Sequence, residues 1–435
     1  MKTGFTSERL SQPRVAAANE ILRACVHCGF CAPACPTYFL TGDERDSPRG
    51  RIWLIRDLME SDDAPSAEAV FHLDRCLECA ACMPACPSGV NYAGLMGVAR
   101  EEIHERAKRP GWVRLLRAML ARVLTDAGRA RRMIGLARLV AWAAPLLPAR
   151  LAAPLRLAAS APRPRDAVGP APGTYPAQGT TKGRVALLAG CVQAAMAPGI
   201  NAALIRLLNR HGIEAVVVND AQCCGALDRH LGRGDAARDH ARRVIAALDA
   251  AAGADGFDAV LQTSSGCGTM MKDYGVLLPG NAAAAQVAAQ VRDSAEYLAG
   301  LELDYGEGMP PLVAGWIAPC SSANVQGVRD QPKALMAAAG IAVGEPDDGG
   351  RCCGSAGIYN MTEPALAATL GAAKASALAA LSPDVVVAGN IGCMVQMAGR
   401  STAPVVHLVE LLDWATGGPV PAALAGRAFD RGTGT

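Results

Sequence analysis

The sequence lacks the features that direct a chain to nucleic acid, into a membrane or out of the cell. Its 42 Lys and Arg residues are balanced by 40 Asp and Glu residues, which gives no reason to expect nucleic-acid binding. No run of about 18 apolar residues is free of charge, so no transmembrane helix is predicted. The opening stretch MKTGFTSERLSQPR has neither an apolar core nor a small-residue cleavage site, so we predict no secretory signal and a cytoplasmic location.

The G-x-G-x-x-G fingerprint of dinucleotide-binding folds is also missing, and no other segment suggests a flavin site. Oxidation of a 2-hydroxy acid normally needs a hydride acceptor such as a flavin. We therefore do not expect this chain to be the place where such a substrate is oxidised.

Cysteine, by contrast, is abundant, with 16 among 435 residues. Cytosolic thiols stay reduced, so cysteines clustered at fixed spacings in a large chain indicate metal ligands or catalytic groups and not a disulfide framework. The first eight form two copies of one motif, CVHCGFCAPACP at residues 25–36 and CLECAACMPACP at residues 76–87.

These gaps of two, two and three residues before a proline are typical of ferredoxins with two [4Fe–4S] clusters, in which the fourth cysteine binds the other cluster. Structural zinc is the alternative, but its cysteine pairs usually lie well apart in sequence. We predict that cluster 1 is bound by Cys25, Cys28, Cys31 and Cys86, and cluster 2 by Cys76, Cys79, Cys82 and Cys35.

The segment that follows is basic and amphipathic. Apolar residues recur at helical spacing from Trp112 to Ala144, with interleaved arginines at positions 114, 117, 122, 129, 131, 132 and 138. Two interpretations stay open: a helix that lies on an anionic membrane surface, or one that packs on a neighbouring element or subunit. Prolines, glycines and alanines then predict a linker from Pro145 to Gly183.

The last eight cysteines form a repeat. In each copy a single cysteine precedes a Cys-Cys-Gly triplet by 32 positions, and a Gly-Cys pair closes the copy. The two sets are Cys191, Cys223, Cys224 and Cys267, and Cys320, Cys352, Cys353 and Cys393.

Apolar strands alternate with helical runs in both copies, which predicts a parallel sheet in each with the cysteines at the carboxyl ends of the strands. Helix N-termini at that edge would favour thiolate charge. Four thiols per copy favour a further iron–sulfur centre; buried structural cysteines and a redox-active dithiol are the alternatives. The histidines at 27, 72, 211, 230, 240 and 407 are expected to be structural or solvated.

The predicted fold class is therefore α+β and multidomain. A mostly helical ferredoxin-type domain with two clusters occupies residues 1–110, and the basic stretch with the linker occupies residues 111–182. A duplicated α/β cysteine-rich domain pair follows, at residues 183–305 and 306–435 with the tail.

In sequence the chain resembles the family of iron–sulfur subunits of glycolate oxidase (glycolate dehydrogenase). The resemblance runs from about residue 21 to residue 414 and is carried by ILRACVHCGFC, SPRGRIWLI, HLDRCLEC, CPSGVNY, QTSSGCG, CCGSAGIY and NIGC, in that order. It implies an electron-transfer subunit that works beside FAD-binding subunits, which oxidise glycolate to glyoxylate. If the basic stretch is an anchor, we expect the protein at the inner face of the cytoplasmic membrane.

The wider group includes cluster subunits of lactate and glycerol-3-phosphate dehydrogenases and the disulfide-cleaving heterodisulfide reductases. Disulfide-cleaving members carry a fifth cysteine three residues after the last one of each copy, and often one two residues before the single cysteine. Here those positions are Met270, Gln396 and Ala318, which disfavours disulfide chemistry. Electron transfer thus ranks above thiol–disulfide catalysis, and the final electron acceptor stays open.

Overall fold

A computed structural model describes residues 1–160, 169–219, 223–306 and 309–429. Residues 1–110 contain helices and no strand, as predicted. Proline at the first position begins several of these helices, and the Ser47 hydroxyl accepts from Gly50 N–H to cap the fourth. The helices are α1 Ser7–Leu10, α2 Pro13–Ala24, α3 Pro36–Thr41, α4 Pro48–Glu60, α5 Ala67–Asp74 and α6 Tyr92–Arg106, with a 3₁₀ turn at Glu44–Asp46.

The apolar faces of α2, α4 and α6 form the core of this part. Leu22, Ile55 and Leu95 are fully buried there and pack with Cys25, Cys76 and Cys82 in one cluster of side chains. The two cysteine loops are thereby attached to a rigid core.

The basic stretch is helical, as predicted, in α7 Gly111–Leu124 and α8 Ala127–Leu139. The linker prediction is wrong over the residues that the structure describes. A 3₁₀ helix covers Ala141–Leu146, α9 covers Ala149–Ser160, and a strand, β1 Gly173–Tyr175, joins the first sheet. Residues 161–168 of the predicted linker lie outside the described residues.

The first cysteine-rich copy is a sheet of five described strands in the order β1-β3-β2-β4-β5. Its register places Val185 beside Ala215 and Ala259, and all pairs are parallel except that of β1 with β3. The expected parallel sheet therefore has one antiparallel edge strand. The elements are β2 Gly183–Leu187, α10 Val192–Met196, α11 Gly199–Arg210, β3 Ile213–Val217, α12 Ala226–His230, α13 Gly234–Ala252, β4 Ala259–Gln262, α14 Ser265–Lys272, α15 Tyr274–Leu277, α16 Ala282–Gln290, β5 Val291–Asp293 and α17 Ser294–Leu298.

The second copy is a parallel sheet of four described strands in the order β7-β6-β8-β9. The strands and helices predicted in the repeat are all present, whereas β5 and β9 were not predicted. The elements are β6 Val313–Ile317, a π-helical turn Ser322–Gln326, α18 Gln331–Ala338, β7 Ala342–Gly344, α19 Tyr359–Thr362, α20 Pro364–Ala379, β8 Val385–Ala388, α21 Ile391–Ala398, β9 Val405–His407 and α22 Leu408–Ala415.

The two copies share one apolar core. Leu187, Leu204 and Leu261 of the first copy pack in the same cluster of buried side chains as Trp316 and Val387 of the second. Buried His407 joins them by a hydrogen bond, because its Nε2 lies 2.8 Å from the carbonyl oxygen of Thr263. The boundaries predicted between the four segments stay predictions.

Candidate iron–sulfur sites

A cavity in the N-terminal part is lined by the four thiols predicted for cluster 1. Cys25, Cys28, Cys31 and Cys86 lie around it with Cys82, and it encloses about 430 Å³ including its open side. Cys86 comes from the second motif, so the fold brings it to the first three cysteines as the ferredoxin pattern requires.

The two motif loops have the same unusual backbone. In each motif the residue just before the second cysteine is left-handed, with φ of 57° at His27 and 50° at Glu78. The residue just after the second cysteine, Gly29 or Ala80, is left-handed as well. Left-handed residues other than glycine are uncommon and concentrate at functional sites. Such turns aim successive N–H groups at one point, which suits an anionic centre.

The thiols predicted for cluster 2 also lie close together and are buried. Burial raises the pKa of Cys82 above its usual value, and the nearby thiolates of Cys76 and Cys35 raise it further. The pKa of Cys79 is raised by burial and then by its charged neighbours, Cys35 and Cys76 among them. The charges of Cys76 and Cys35 thus act on both Cys79 and Cys82, which makes these four thiols close neighbours.

A buried arginine, which no sequence motif pointed to, lies beside one of the thiols predicted for cluster 2. The guanidinium of Arg51 is 3.8 Å from Cys35 Sγ and donates to Thr37 Oγ1 at 2.9 Å and to Asp46 Oδ1 at 3.1 Å. Asp46 also accepts from Arg75 at 2.7 Å and contacts His72 Nδ1 at 3.0 Å.

The donor set fits an iron–sulfur centre. Burial raises the pKa of the Cys31 thiol to about 11, so a metal must displace a proton there. Within the described ranges, no three histidine, cysteine or acidic side chains converge on one point as a single metal ion needs. When bound, iron–sulfur clusters supply one-electron redox centres.

All eight cysteines of the repeat line a single second cavity, of about 2270 Å³ with its mouth included. The sequence predicted a set of four in each copy; it did not predict that the two sets face one shared space. Cys191 precedes α10 directly, and Cys267 and Cys393 lie in the first turns of α14 and α21. Helix N-termini therefore do point at this cavity, as predicted.

The two Cys-Cys-Gly triplets have the same geometry. The glycine N–H donates to the first thiol of the pair at 3.4 Å in both, Gly225 to Cys223 and Gly354 to Cys352. Both glycines are left-handed, and a Cβ at Gly354 would lie 2.8 Å from the Ala367 carbonyl oxygen. Glycine is thus needed at both positions for close packing on a helix.

One thiol of each pair is made acidic. Hydrogen bonds from Cys191 and Cys224 hold the pKa of Cys223 well below its usual value. Hydrogen bonds from Cys352 and Cys393 do the same for Cys353, whose Sγ is 3.5 Å from that of Cys393. A basic side chain lies near each of these thiols: the half-buried His240 in the first copy and the buried Lys374 in the second.

The second motif contacts the second copy of the repeat. Cys79 and Cys352 belong to one cluster of buried side chains, and Cys320 packs against this cluster. In addition, Asn324 Nδ2 donates to the Cys79 carbonyl oxygen at 3.0 Å. Cys320 lies close enough to Cys79 for its charge to raise the pKa of the Cys79 thiol, after burial the largest cause of that rise. Thiols thus follow one another from the first cavity to the second.

The basic helices cover the second cavity. Met119 and Val123 of α7 and Ile134 of α8 line it, which agrees with the interpretation that the stretch packs on a neighbour. The two helices also expose further large apolar side chains, Trp112, Leu115, Leu136 and Leu139, and the 3₁₀ helix after them exposes Trp142. Among the described helices, none is long and apolar enough to cross a membrane.

The histidines are structural or solvated, as expected, with one addition. His27 packs 5.4 Å from Trp53 between ring centres, and His211 Nδ1 contacts the Leu207 carbonyl oxygen at 2.7 Å. His230 Nδ1 contacts the Glu78 carboxylate, which joins the second motif loop to the first copy.

The sequence matches two known families. Residues 24–90 match the 4Fe-4S dicluster domain, and residues 185–272 and 314–398 each match the cysteine-rich domain. The glycolate oxidase iron-sulfur subunit of Escherichia coli K12 is 37% identical over 95% of this chain and 99% of that protein.

The probable glycolate oxidase iron-sulfur subunit of Bacillus subtilis 168 is 31% identical over 92% of this chain and 95% of that protein. The lactate utilization protein A 2 of Bacillus mycoides KBAB4 is more distant, at 21% identity over 53% of this chain and 98% of that protein. The chain thus belongs to the family of glycolate oxidase iron–sulfur subunits.

Proposed function

We propose that this chain is the electron-transfer subunit of a glycolate dehydrogenase. It accepts electrons one at a time from an FAD-binding partner subunit that oxidises glycolate to glyoxylate, and passes them toward an acceptor. Cluster 1 is bound by Cys25, Cys28, Cys31 and Cys86, cluster 2 by Cys76, Cys79, Cys82 and Cys35, and at least one further centre by the cysteines of the repeat. The observation that carries the proposal is the chain of thiol sites from the first cavity through Cys79 and Cys320 to the second.

Electrons enter at cluster 1. All sixteen cysteines are described, and Cys28 is the one that is exposed. Its loop also exposes Val26 and Phe30, each by about two thirds of its surface (68% and 67%). Because electron transfer slows steeply with distance, the flavoprotein partner must approach at this surface.

The exposed apolar face of α7 and α8, with its arginines, supports peripheral attachment at the inner face of the membrane. If attraction between arginines and anionic lipid dominates, a salt wash releases the complex. Release by detergent alone would point to an apolar anchor or an integral partner instead.

A thiol–disulfide catalyst is the second candidate. The acidic thiol of Cys353 beside Cys393 favours it, since thiolates attack disulfides. Met270 and Gln396, where disulfide-cleaving relatives have cysteine, count against it.

Reconstitution with the FAD-binding partners tests the proposal. We expect the chain alone to oxidise no glycolate, to bind about eight irons in its N-terminal part, and to allow dye reduction once the partners are added. Cys28→Ser should lose cluster 1 and slow electron entry, whereas Ser88→Ala, in the same cavity wall, should not. Glycolate oxidation by the flavin-free chain, or zinc in place of iron, would refute the proposal.

A further inference from the structure

Three polar side chains in the wall of the second cavity have hydrogen-bonding atoms without a partner. Gln193, Gln262 and Asn360 line this cavity and are only 4%, 2% and 8% exposed. Within the described residues, Gln193 Oε1, Gln262 Nε2 and Asn360 Oδ1 make no hydrogen bond. An unpaired buried polar atom is destabilising, so these atoms indicate a ligand with complementary groups.

The orientation of the Gln193 amide is determined by its neighbours. Asn201 Nδ2 donates to the Ala189 carbonyl oxygen at 2.8 Å, so Asn201 Oδ1 must be the acceptor for Gln193 Nε2, at 2.9 Å. The free atom of Gln193 is therefore its oxygen, an acceptor.

The same reasoning holds for Asn360. Gln396 Nε2 donates to the Ala367 carbonyl oxygen at 2.9 Å, which leaves Gln396 Oε1 to accept from Asn360 Nδ2 at 3.4 Å. Asn360 Oδ1 is thus a second free acceptor, from the other copy of the repeat.

An iron–sulfur centre cannot satisfy these two oxygens, because thiolate and sulfide are themselves acceptors. The ligand must carry hydroxyl or N–H donors, and an acceptor for the Gln262 N–H. Part of the wall of this cavity is apolar and is formed by Met119, Leu120 and Val123 of α7, Met133 and Ile134 of α8, and Leu157 of α9. The site therefore favours a small polar ring with an apolar tail.

We propose that this cavity binds a lipophilic quinone and is where the electrons leave the chain, an inference that rests on the proposed function. A quinone carbonyl accepts from Gln262 Nε2, and the two hydroxyls of the quinol donate to Gln193 Oε1 and Asn360 Oδ1. The tail lies along α7 and α8, whose outer face carries the apolar and arginine side chains described above.

The reaction balances with the proposed glycolate oxidation. Glycolate gives glyoxylate, two electrons and two protons; the quinone takes two electrons in two successive steps, and two protons from water, to form the quinol. Because Gln193 and Asn360 accept from hydroxyls, the site stabilises the reduced product more than the oxidised ring.

The test uses the whole complex, cluster-loaded and with its FAD-binding subunits, with decylubiquinone and ferricyanide as alternative acceptors. In Gln193→Leu and in Asn360→Leu we expect the KM for decylubiquinone to rise about tenfold relative to that for ferricyanide, the effect of one hydrogen bond. Gln286→Leu, which removes an exposed glutamine of α16, is the control and should leave the ratio as it is.

Equilibrium dialysis of decylubiquinone against the cluster-loaded chain gives a second measurement without catalysis. Saturable binding that both leucine variants weaken supports the proposal. Absence of saturable binding to the parent chain overturns the proposal, even if neither variant folds. The proposal is also overturned if the complex reduces a mixed disulfide but does not reduce decylubiquinone.

Failure of the inference and failure of the proposed function give different results. If glycolate reduces ferricyanide through this chain but decylubiquinone neither binds nor is reduced, the quinone site alone is wrong. If glycolate reduces no acceptor, the proposed function is wrong, and dialysis still decides whether the cavity binds the quinone.

Discussion

Arg51 should set the reduction potential of cluster 2. Its guanidinium lies 3.8 Å from Cys35 Sγ, in the fully buried group that includes Asp46. At that distance two unit charges interact by about 4 kcal/mol at an effective dielectric constant of about 20. The negative charge of Asp46 cancels part of this interaction energy, and the added electron is spread over the whole cluster. We therefore expect about a third of the energy to remain, about 1.4 kcal/mol, which corresponds to about 60 mV for one electron.

Arg51→Gln should therefore make the midpoint potential of cluster 2 more negative by about 60 mV, since the added electron loses a nearby positive charge. Cluster 1 is the internal control and should keep its potential. Arg51→Lys keeps the charge and should shift cluster 2 by less than half as much. Redox titration followed by electron paramagnetic resonance measures both clusters in one sample.

Removal of one partner from a buried ionic group typically costs about 3 kcal/mol, so iron content must be measured before each titration. Asp46 keeps Arg75 and His72 as partners, which should allow the variant to fold. An unchanged potential in Arg51→Gln with full iron content, or equal shifts of both clusters, would show that Arg51 is only a structural residue.

Two further predictions concern stability. Burial lowers the pKa of His407 to about 4, against 6.5 when unfolded, so the unfolded chain binds the proton first as the pH falls. The free energy of unfolding, measured in urea, should therefore decrease from pH 6.5 toward pH 4, by about 2 kcal/mol at pH 5. His407→Gln should remove that part of the pH dependence, and an equally steep decrease in the variant would contradict the prediction. Gly354→Ala should cost about 3 kcal/mol, because it combines a φ of 85° with a contact of 2.8 Å to the Ala367 carbonyl oxygen. Gly340→Ala, with φ of 77° and open space around its Cβ, should cost about 1 kcal/mol, and equal costs would show that the contact does not matter.

Much of the fold follows from local pattern. The alternation of strands and helices in the repeat was predicted, with cysteines at the carboxyl ends of the strands, since an apolar period acts within a few residues. The region from Pro145 to Gly183 was misjudged because its composition is that of a linker. Packing of α9 and pairing of β1 with β3 decide its structure instead.

The sequence by itself determined which thiols can share a cluster, because a gap of two residues lets one short loop surround one space wherever the loop lies. Only the tertiary structure decided what stands beside these thiols. Arg51 reaches Cys35 from another helix, Cys79 meets Cys320 across 241 positions of the chain, and Gln193 and Asn360 face one cavity from different copies of the repeat. Such neighbours depend on how the faces of helices and sheets pack at long range, and no spacing within one segment records that packing.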